Sequence, residues 1–180
     1  MFSAVVPGNT LLPVKFGSLV RTSQGAMDIF AVVSFIEHAP TESNRKVSPH
    51  GKTKEVLRRE MPQVFELLQT EFHAIVLGYR NTGDTRLYQA TPPLPPDLHE
   101  FVYAATAEEQ TSFFSMRTAY IRTLLSNRDM NPDELIAAFL RNHLGLAAMS
   151  EHLVAAGKDL SHLLSDDHRR LESIFERILE

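Results

Sequence analysis

The residues nearest to a known chemical motif are Gly51, Lys52 and Thr53, which match the closing half of a phosphate-binding loop. Such a loop needs an earlier glycine, so that successive backbone N–H groups turn towards the phosphates. Lys46 stands at that position, and Pro49 removes one of the amide donors. The sequence therefore predicts a solvated basic loop here and argues against nucleotide hydrolysis.

Basic residues are concentrated around this loop. Six of them fall between positions 45 and 59: Arg45, Lys46, Lys52, Lys54, Arg58 and Arg59. A cluster of this kind can contact phosphates or an acidic partner surface. The competing interpretation is a solvated loop and helix face balanced by Glu55 and Glu60. These six residues are the possible contacts for a partner or for phosphate.

Other catalytic patterns are missing from the chain. Asp159 and His162 are three residues apart and His168 follows, but the His-Glu-x-x-His arrangement of zinc peptidases is not present. No Gly-x-Ser-x-Gly elbow presents a strained serine, and there is no cysteine. We expect no catalytic residue, no metal site and no cofactor. The alternative is an enzyme whose site only the fold assembles.

Composition places the chain among ordinary globular proteins. Its 180 residues are 43% apolar and 22% charged, and the absence of cysteine fits a reducing compartment. No run of about 18 apolar residues could span a membrane, and residues 1–12 lack the basic start of a secretory signal. We expect a cytoplasmic protein that has no membrane partner.

The charge is unevenly distributed. Residues 1–106 hold 10 Lys/Arg and 10 Asp/Glu, whereas residues 107–180 hold 8 and 12, so the net charge of −4 arises entirely in the second part. Proteins that bind nucleic acids usually carry a basic surface. Nucleic-acid binding is therefore only weakly supported.

The stretch from Phe72 to Tyr103 predicts strands joined by a rigid connector. An apolar run to Tyr79 is followed by a polar turn, a returning strand at 87–90 and the proline-rich segment Pro92–Pro96, which favours extended geometry. Before it, residues 28–37 form a β-branched and aromatic run that predicts a buried strand. Helical spacing over about 53–69 predicts an inserted helix that breaks and restarts at Pro62.

After Tyr103 the pattern becomes helical. Thr106 and Glu109 form a capping box for a first helix that carries apolar residues to Leu125. Asn131 and Pro132 start a second helix with Gly145 as its cap, a third covers about 150–164 with a weak point at Gly157, and a fourth starts at Ser165. We predict an α+β protein with a sheet domain over 1–106 and a helical subdomain of about four helices over 107–180.

The order of these segments resembles the HAS barrel, the small β-barrel at the N-terminus of HerA-type DNA-translocating ATPases and of F-type ATP synthase subunits. The likeness covers about residues 12–106 and is strongest where the Leu77-Gly78-Tyr79 strand leads through the prolines into Phe101-Val102-Tyr103. The resemblance implies a small N-terminal β-barrel. It transfers no ATPase activity, because no motor follows the barrel.

What the resemblance does imply is assembly into rings and docking of partner proteins. We therefore expect a non-enzymatic adaptor domain that binds protein partners or forms homo-oligomers. The alternative is an accessory factor of nucleic-acid processing that acts through the basic 45–59 segment.

Overall fold

The computed structural model describes residues 1–7, 15–40, 51–62, 67–84 and 86–180. Within these ranges the chain forms five strands and six helices. The strands are β1 (Phe2–Pro7), β2 (Leu19–Gln24), β3 (Met27–Pro40), β4 (Leu68–Asn81) and β5 (Tyr103–Ala104). The helices are α1 (Lys54–Glu60), α2 (Ala107–Phe114), α3 (Tyr120–Leu125), α4 (Pro132–Arg141), α5 (Met149–Leu163) and α6 (His168–Leu179). The predicted α+β class is confirmed.

The five strands form one antiparallel sheet in the order β1-β4-β3-β2-β5. Each strand pairs with its neighbour in antiparallel register, and β1 and β5 lie at opposite edges. The sheet of described strands is open, so the predicted closure into a barrel is unconfirmed. The division into domains at residue 106 stays a prediction.

Both faces of the central strand β3 are covered, which explains its continuous apolar sequence. Phe30 and Val32 belong to the large core shared with the helices, whereas Ala31 and Val33 face a smaller cluster on the opposite side. Paired residues keep this division, since Val32 lies beside Ile75 in register. The sheet therefore separates two apolar layers, of which the larger joins sheet to helices.

The junction between sheet and helices requires Gly17. Its φ is +77°, and a Cβ atom there would lie 2.8 Å from the backbone carbon of Ala138 in α4. The Asn142 side-chain amide, just beyond α4, donates to the Phe16 carbonyl oxygen at 2.8 Å. Any other residue at position 17 would have to move α4 or the start of β2.

The inserted helix is shorter than the sequence pattern predicts. Thr53 caps α1 by accepting the Val56 N–H, and the helix ends at Glu60 with Met61 as its C-cap. Leu68 starts β4 instead of continuing a helix. The prediction of helix up to residue 69 is therefore wrong at its end, because pairing with β1 and β3 outweighs the helical spacing. Residues 63–66 lie outside the described ranges.

The predicted hairpin after β4 is reduced to one bridge. Tyr79 and Tyr88 exchange both backbone hydrogen bonds, at 2.9 and 2.8 Å, and the residues described on either side of them form no longer ladder. Pro92–Pro96 forms no strand, and the chain bends at Pro93 and Leu94 where extended geometry was expected. The last strand of the predicted stretch is only β5, two residues long.

The helical half has five helices where the sequence predicted about four. The first predicted helix is divided into α2 and α3 by residues 115–119, which contain neither glycine nor proline. The second ends at Arg141 with Asn142 as its C-cap, so Gly145 is not its cap, and the last begins at His168 after Asp167, not at Ser165. The capping box of Thr106 and Glu109 and the cap at Asn131 are confirmed.

Candidate partner-binding surface

The connector from residue 91 to residue 103 exposes four large apolar side chains. Leu98 is 92% exposed, Phe101 is 71% exposed, and Leu94 and Tyr103 are each 52% exposed. Single exposed apolar residues are common, but several in one short segment mark an interaction site. We call Leu94, Leu98, Phe101 and Tyr103 the connector surface.

Local sequence explains why these side chains point outwards. Val102 packs against the smaller apolar cluster, and successive side chains of an extended chain face opposite sides, so Phe101 and Tyr103 turn away from it. Their ring centroids are 6.3 Å apart. Prolines at 92, 93, 95 and 96 supply no N–H donors, which keeps the connector from extending the sheet.

The connector is fixed at its middle, at its end and just before its start. At its middle, Gly25 N–H donates to the Asp97 carboxylate at 2.9 Å, and Asp97 N–H donates to the Ser23 carbonyl oxygen at 3.2 Å. At its end, Tyr103 pairs with Arg21 of β2. Just before its start, the Tyr88 carbonyl oxygen occupies the space where a side chain at Gly78 would begin. These contacts hold the exposed side chains on a defined path over the β2–β3 turn.

Four charged residues brace the sheet edge beside Tyr103. Arg21 contacts Asp28 and Glu109, each at 3.1 Å, and Arg80 contacts Asp28 at 2.8 Å. The second Glu109 oxygen accepts the Thr106 N–H. The Arg21 guanidinium lies 5.7 Å from the centre of the Tyr103 ring. Because its charges compensate one another, this group supports the edge and presents no free charge to a ligand.

The six predicted basic contacts are only partly located. Arg45 and Lys46 lie outside the described ranges, and Lys54 and Arg58 are placed on α1. Lys52 is paired with Glu60 at 2.7 Å, and Arg59 lies 3.5 Å from the same carboxylate. One acid thus partly neutralises two of these cations. No described contact favours a phosphate ligand here, and the role of this segment stays a prediction.

A cleft forms where the turn between α3 and α4 meets β3 and β4. It has a volume of about 380 Å³ and is lined by Met1, Ser34, Phe35, His73, Ile75, Asn127, Asp129 and Met130. Ser34, His73 and Asp129 are the residue types of a hydrolytic triad. The Ser34 hydroxyl, however, donates to the His73 carbonyl oxygen at 3.2 Å, and in the described chain no hydrogen bond joins it to the imidazole. The contacts therefore do not form an activated nucleophile.

The helical core contains a closed polar pair inside an aromatic cluster. Tyr120 and His152 form a 2.8 Å hydrogen bond and are both buried. Burial raises the pKa of Tyr120 far above its usual range, and the charge of Asp159 raises it further. Burial also lowers the pKa values of His143 and His152 below 6.5. These groups are too enclosed to meet a substrate, so the pair is a structural element.

No metal site emerges from the described residues. Asp159 bonds to the Thr118 hydroxyl, His162 and His168 are exposed, and no group of three potential ligands occurs in the ranges that the structure covers. Among those same ranges no helix has the length and apolar character needed to cross a bilayer.

Sequence reasoning did not find the connector surface or the cleft. The sequence predicted a strand at Phe101-Val102-Tyr103 and made no prediction about which of its side chains face outwards. The cleft residues come from four separate segments with no motif spacing. Comparison with protein-family models, with curated proteins and with solved structures finds no match to this chain. The HAS-barrel resemblance therefore rests on the residues quoted for it alone.

Proposed function

We propose that this protein is a non-enzymatic adaptor that binds a protein partner through the connector surface. The observation that carries the proposal is the exposure of Leu94, Leu98, Phe101 and Tyr103 within one anchored segment. Aromatic residues are enriched at the cores of protein interfaces, and a few well-packed anchor residues supply most of the binding energy there.

Anchoring makes this surface suited to binding. A loop that is already ordered loses less conformational entropy when a partner docks. The bonds of Asp97 to Gly25 and Ser23, and the bridge between Tyr79 and Tyr88, provide that order. The partner gains contact area without having to fold the connector.

Charge indicates the chemistry of the partner. Asp97, Glu100 and Glu108 are exposed next to the apolar side chains in the chain, and residues 107–180 carry the whole net negative charge. Like charges facing each other disfavour two copies of this surface, whereas Lys and Arg on a partner would complement it. We infer a partner that presents apolar side chains flanked by basic residues.

We also propose that the sheet closes into a barrel of the HAS type. Barrel closure requires contacts between the two sheet edges, β1 and β5. Nuclear Overhauser contacts between amide protons of residues 2–7 and 103–104 would demonstrate them. Partner binding through Leu94, Leu98 and Phe101 does not depend on closure, because these three residues precede β5 and lie outside the sheet.

The test places a photo-crosslinking phenylalanine analogue at position 101 in the native host, with position 154 as the matched control. Val154 is 60% exposed but lies on α5, away from the connector. We expect one partner to crosslink at 101 only. That partner, once purified, should bind Leu98→Ser/Phe101→Ser at least about tenfold more weakly than the wild type or Val154→Ser.

Three results would contradict the proposal in different ways. Equal crosslinking at 101 and 154 would remove the connector as the docking surface. Unchanged affinity of Leu98→Ser/Phe101→Ser would do the same. A dimer in light scattering that this double variant abolishes would replace the basic partner with a second copy of the chain.

A further inference from the structure

We propose that an apolar pocket between α5 and α6 binds a small uncharged apolar molecule of about the size of toluene. The pocket has a volume of about 170 Å³. An apolar cavity of about 150 Å³ in a helical protein stays dry and takes up benzene, so this volume suits a single ring. The pocket lies in the helical half and shares no residue with the connector surface. The inference therefore goes beyond the proposed function and does not depend on it.

Every side chain that lines the pocket is apolar. α5 contributes Leu153, Ala156 and Leu160, and α6 contributes Phe175 and Ile178. Because this lining has no hydrogen-bonding side chain, a water molecule inside the pocket would lack the polar partners that it needs. A charged group would lose its hydration without compensation. The lining therefore selects a ligand that is neutral and apolar.

Gly157 creates part of this space. It lies inside α5, and a Cβ atom there would make only an ordinary contact, 3.5 Å from the Phe175 ring. Neither a positive φ nor a close backbone approach therefore requires glycine at this position. Glycine inside a helix nevertheless lowers stability relative to alanine. What the missing side chain provides is room beside Phe175, in the wall of the pocket.

The pocket has a buried floor and an open mouth. Leu140, Ala156 and Leu160 are at most 1% exposed, so the floor belongs to the core of the helical half. Leu179, the last residue of α6, also lines the pocket and is 85% exposed. A ligand can therefore enter past Leu179 while the helices stay folded. Inside, an aromatic ligand can pack against the Phe175 ring, a contact that adds to the gain from burial.

The experiment compares toluene with benzoate, which carry the same ring and differ in charge. Two-dimensional NMR of the ¹⁵N-labelled full chain should show toluene shifting the resonances of residues 153–160 and 175–179, with benzoate binding at least about fivefold more weakly. Gly157→Ala should weaken toluene binding about fivefold or more, because the new methyl occupies part of the pocket. Gly145→Ala, which places its methyl in open space outside the pocket, should bind toluene like the wild type.

The proposal is overturned if toluene shifts none of these resonances, if toluene and benzoate bind equally, or if Gly157→Ala and Gly145→Ala bind toluene alike. Should Gly157→Ala not fold, the comparison of toluene and benzoate on the wild-type chain decides alone. Shifts of the same resonances with protein concentration alone would place a second copy of the chain in the pocket and equally refute the inference.

Discussion

The aromatic core of the helical half and the connector surface use the same residue types in opposite ways. Phe113, Phe114 and Tyr120 are at most 1% exposed, whereas Phe101 and Tyr103 are more than half exposed. The core rings contact one another at centroid distances of 5.2 to 6.0 Å and enclose two histidines. Burial in the first region stabilises the fold, while exposure in the second leaves its apolar area for a partner.

This contrast implies that mutations in the two regions have different effects. Changes near the aromatic core should alter stability and leave the connector surface intact, and changes in the connector should do the reverse. A variant that altered both by comparable amounts would show that the two regions are coupled.

The largest expected effect is that of Gly17→Ala at the junction of sheet and helices. The added Cβ would overlap the Ala138 backbone, and the positive φ strains any side chain, so we expect a loss of about 3 kcal/mol or more. Urea denaturation measures the loss.

Gly25→Ala is the matched control for Gly17→Ala. Its φ is also positive, at +54°, but no atom lies within 4 Å of the added Cβ. It should therefore cost only about 1–2 kcal/mol of backbone strain. Equal costs at 17 and 25 would mean that the approach of α4 contributes nothing.

A smaller effect is expected from acidification, through the two buried histidines of the core. Burial lowers the pKa values of His143 and His152 in the folded state below 6.5, the value of an unperturbed histidine. Well above pH 6.5 both histidines are neutral in the folded and in the unfolded chain, so they cost the folded state no stability. Below pH 6.5 the two histidines become protonated in the unfolded chain but stay neutral in the folded chain. Stability should fall, by at most about 1.4 kcal/mol per pH unit for each histidine.

Urea midpoints between pH 7.5 and 5.5 measure this slope. His162→Gln changes an exposed histidine and should keep the same slope. A flat profile over that range would contradict the assignment of neutral, enclosed histidines to the core. Tyr120 plays no part in this window, because its pKa is raised.

The smallest expected effect is a gain from Gly157→Ala in α5. Glycine inside a helix costs about 1 kcal/mol relative to alanine. The new methyl would lie 3.5 Å from the Phe175 ring, an ordinary contact, beside an apolar pocket of about 170 Å³. We expect the free energy of unfolding, measured by thermal denaturation, to increase by about 1 kcal/mol. Partner binding should be unchanged. Destabilisation would show that Phe175 cannot accommodate a methyl group.

Local signals predicted much of the fold. Thr106 and Asn131 cap helices as predicted, because the side-chain oxygen of a cap satisfies N–H groups only a few residues away. The helix predicted from about residue 53 also begins there, directly after Thr53. The buried strand predicted at 28–37 lies within β3, since β-branched and aromatic runs suit a covered sheet. The end of α1 and the break between α2 and α3 escaped prediction, because distant pairing and packing decide them.

The sequence by itself determined the α+β class, the helix N-caps at Thr106 and Asn131 and the apolar residues available for a core, since these follow from interactions between near neighbours. Only the tertiary structure decided that aromatic residues at 113 and 114 are enclosed while those at 101 and 103 face outwards. It also decided that Ser34, His73 and Asp129 share one cleft. Whether a side chain is exposed, and whether distant residues meet in one cleft, depends on which segments of the chain pack together. Residues far apart in the sequence show no periodic pattern from which this packing could be predicted.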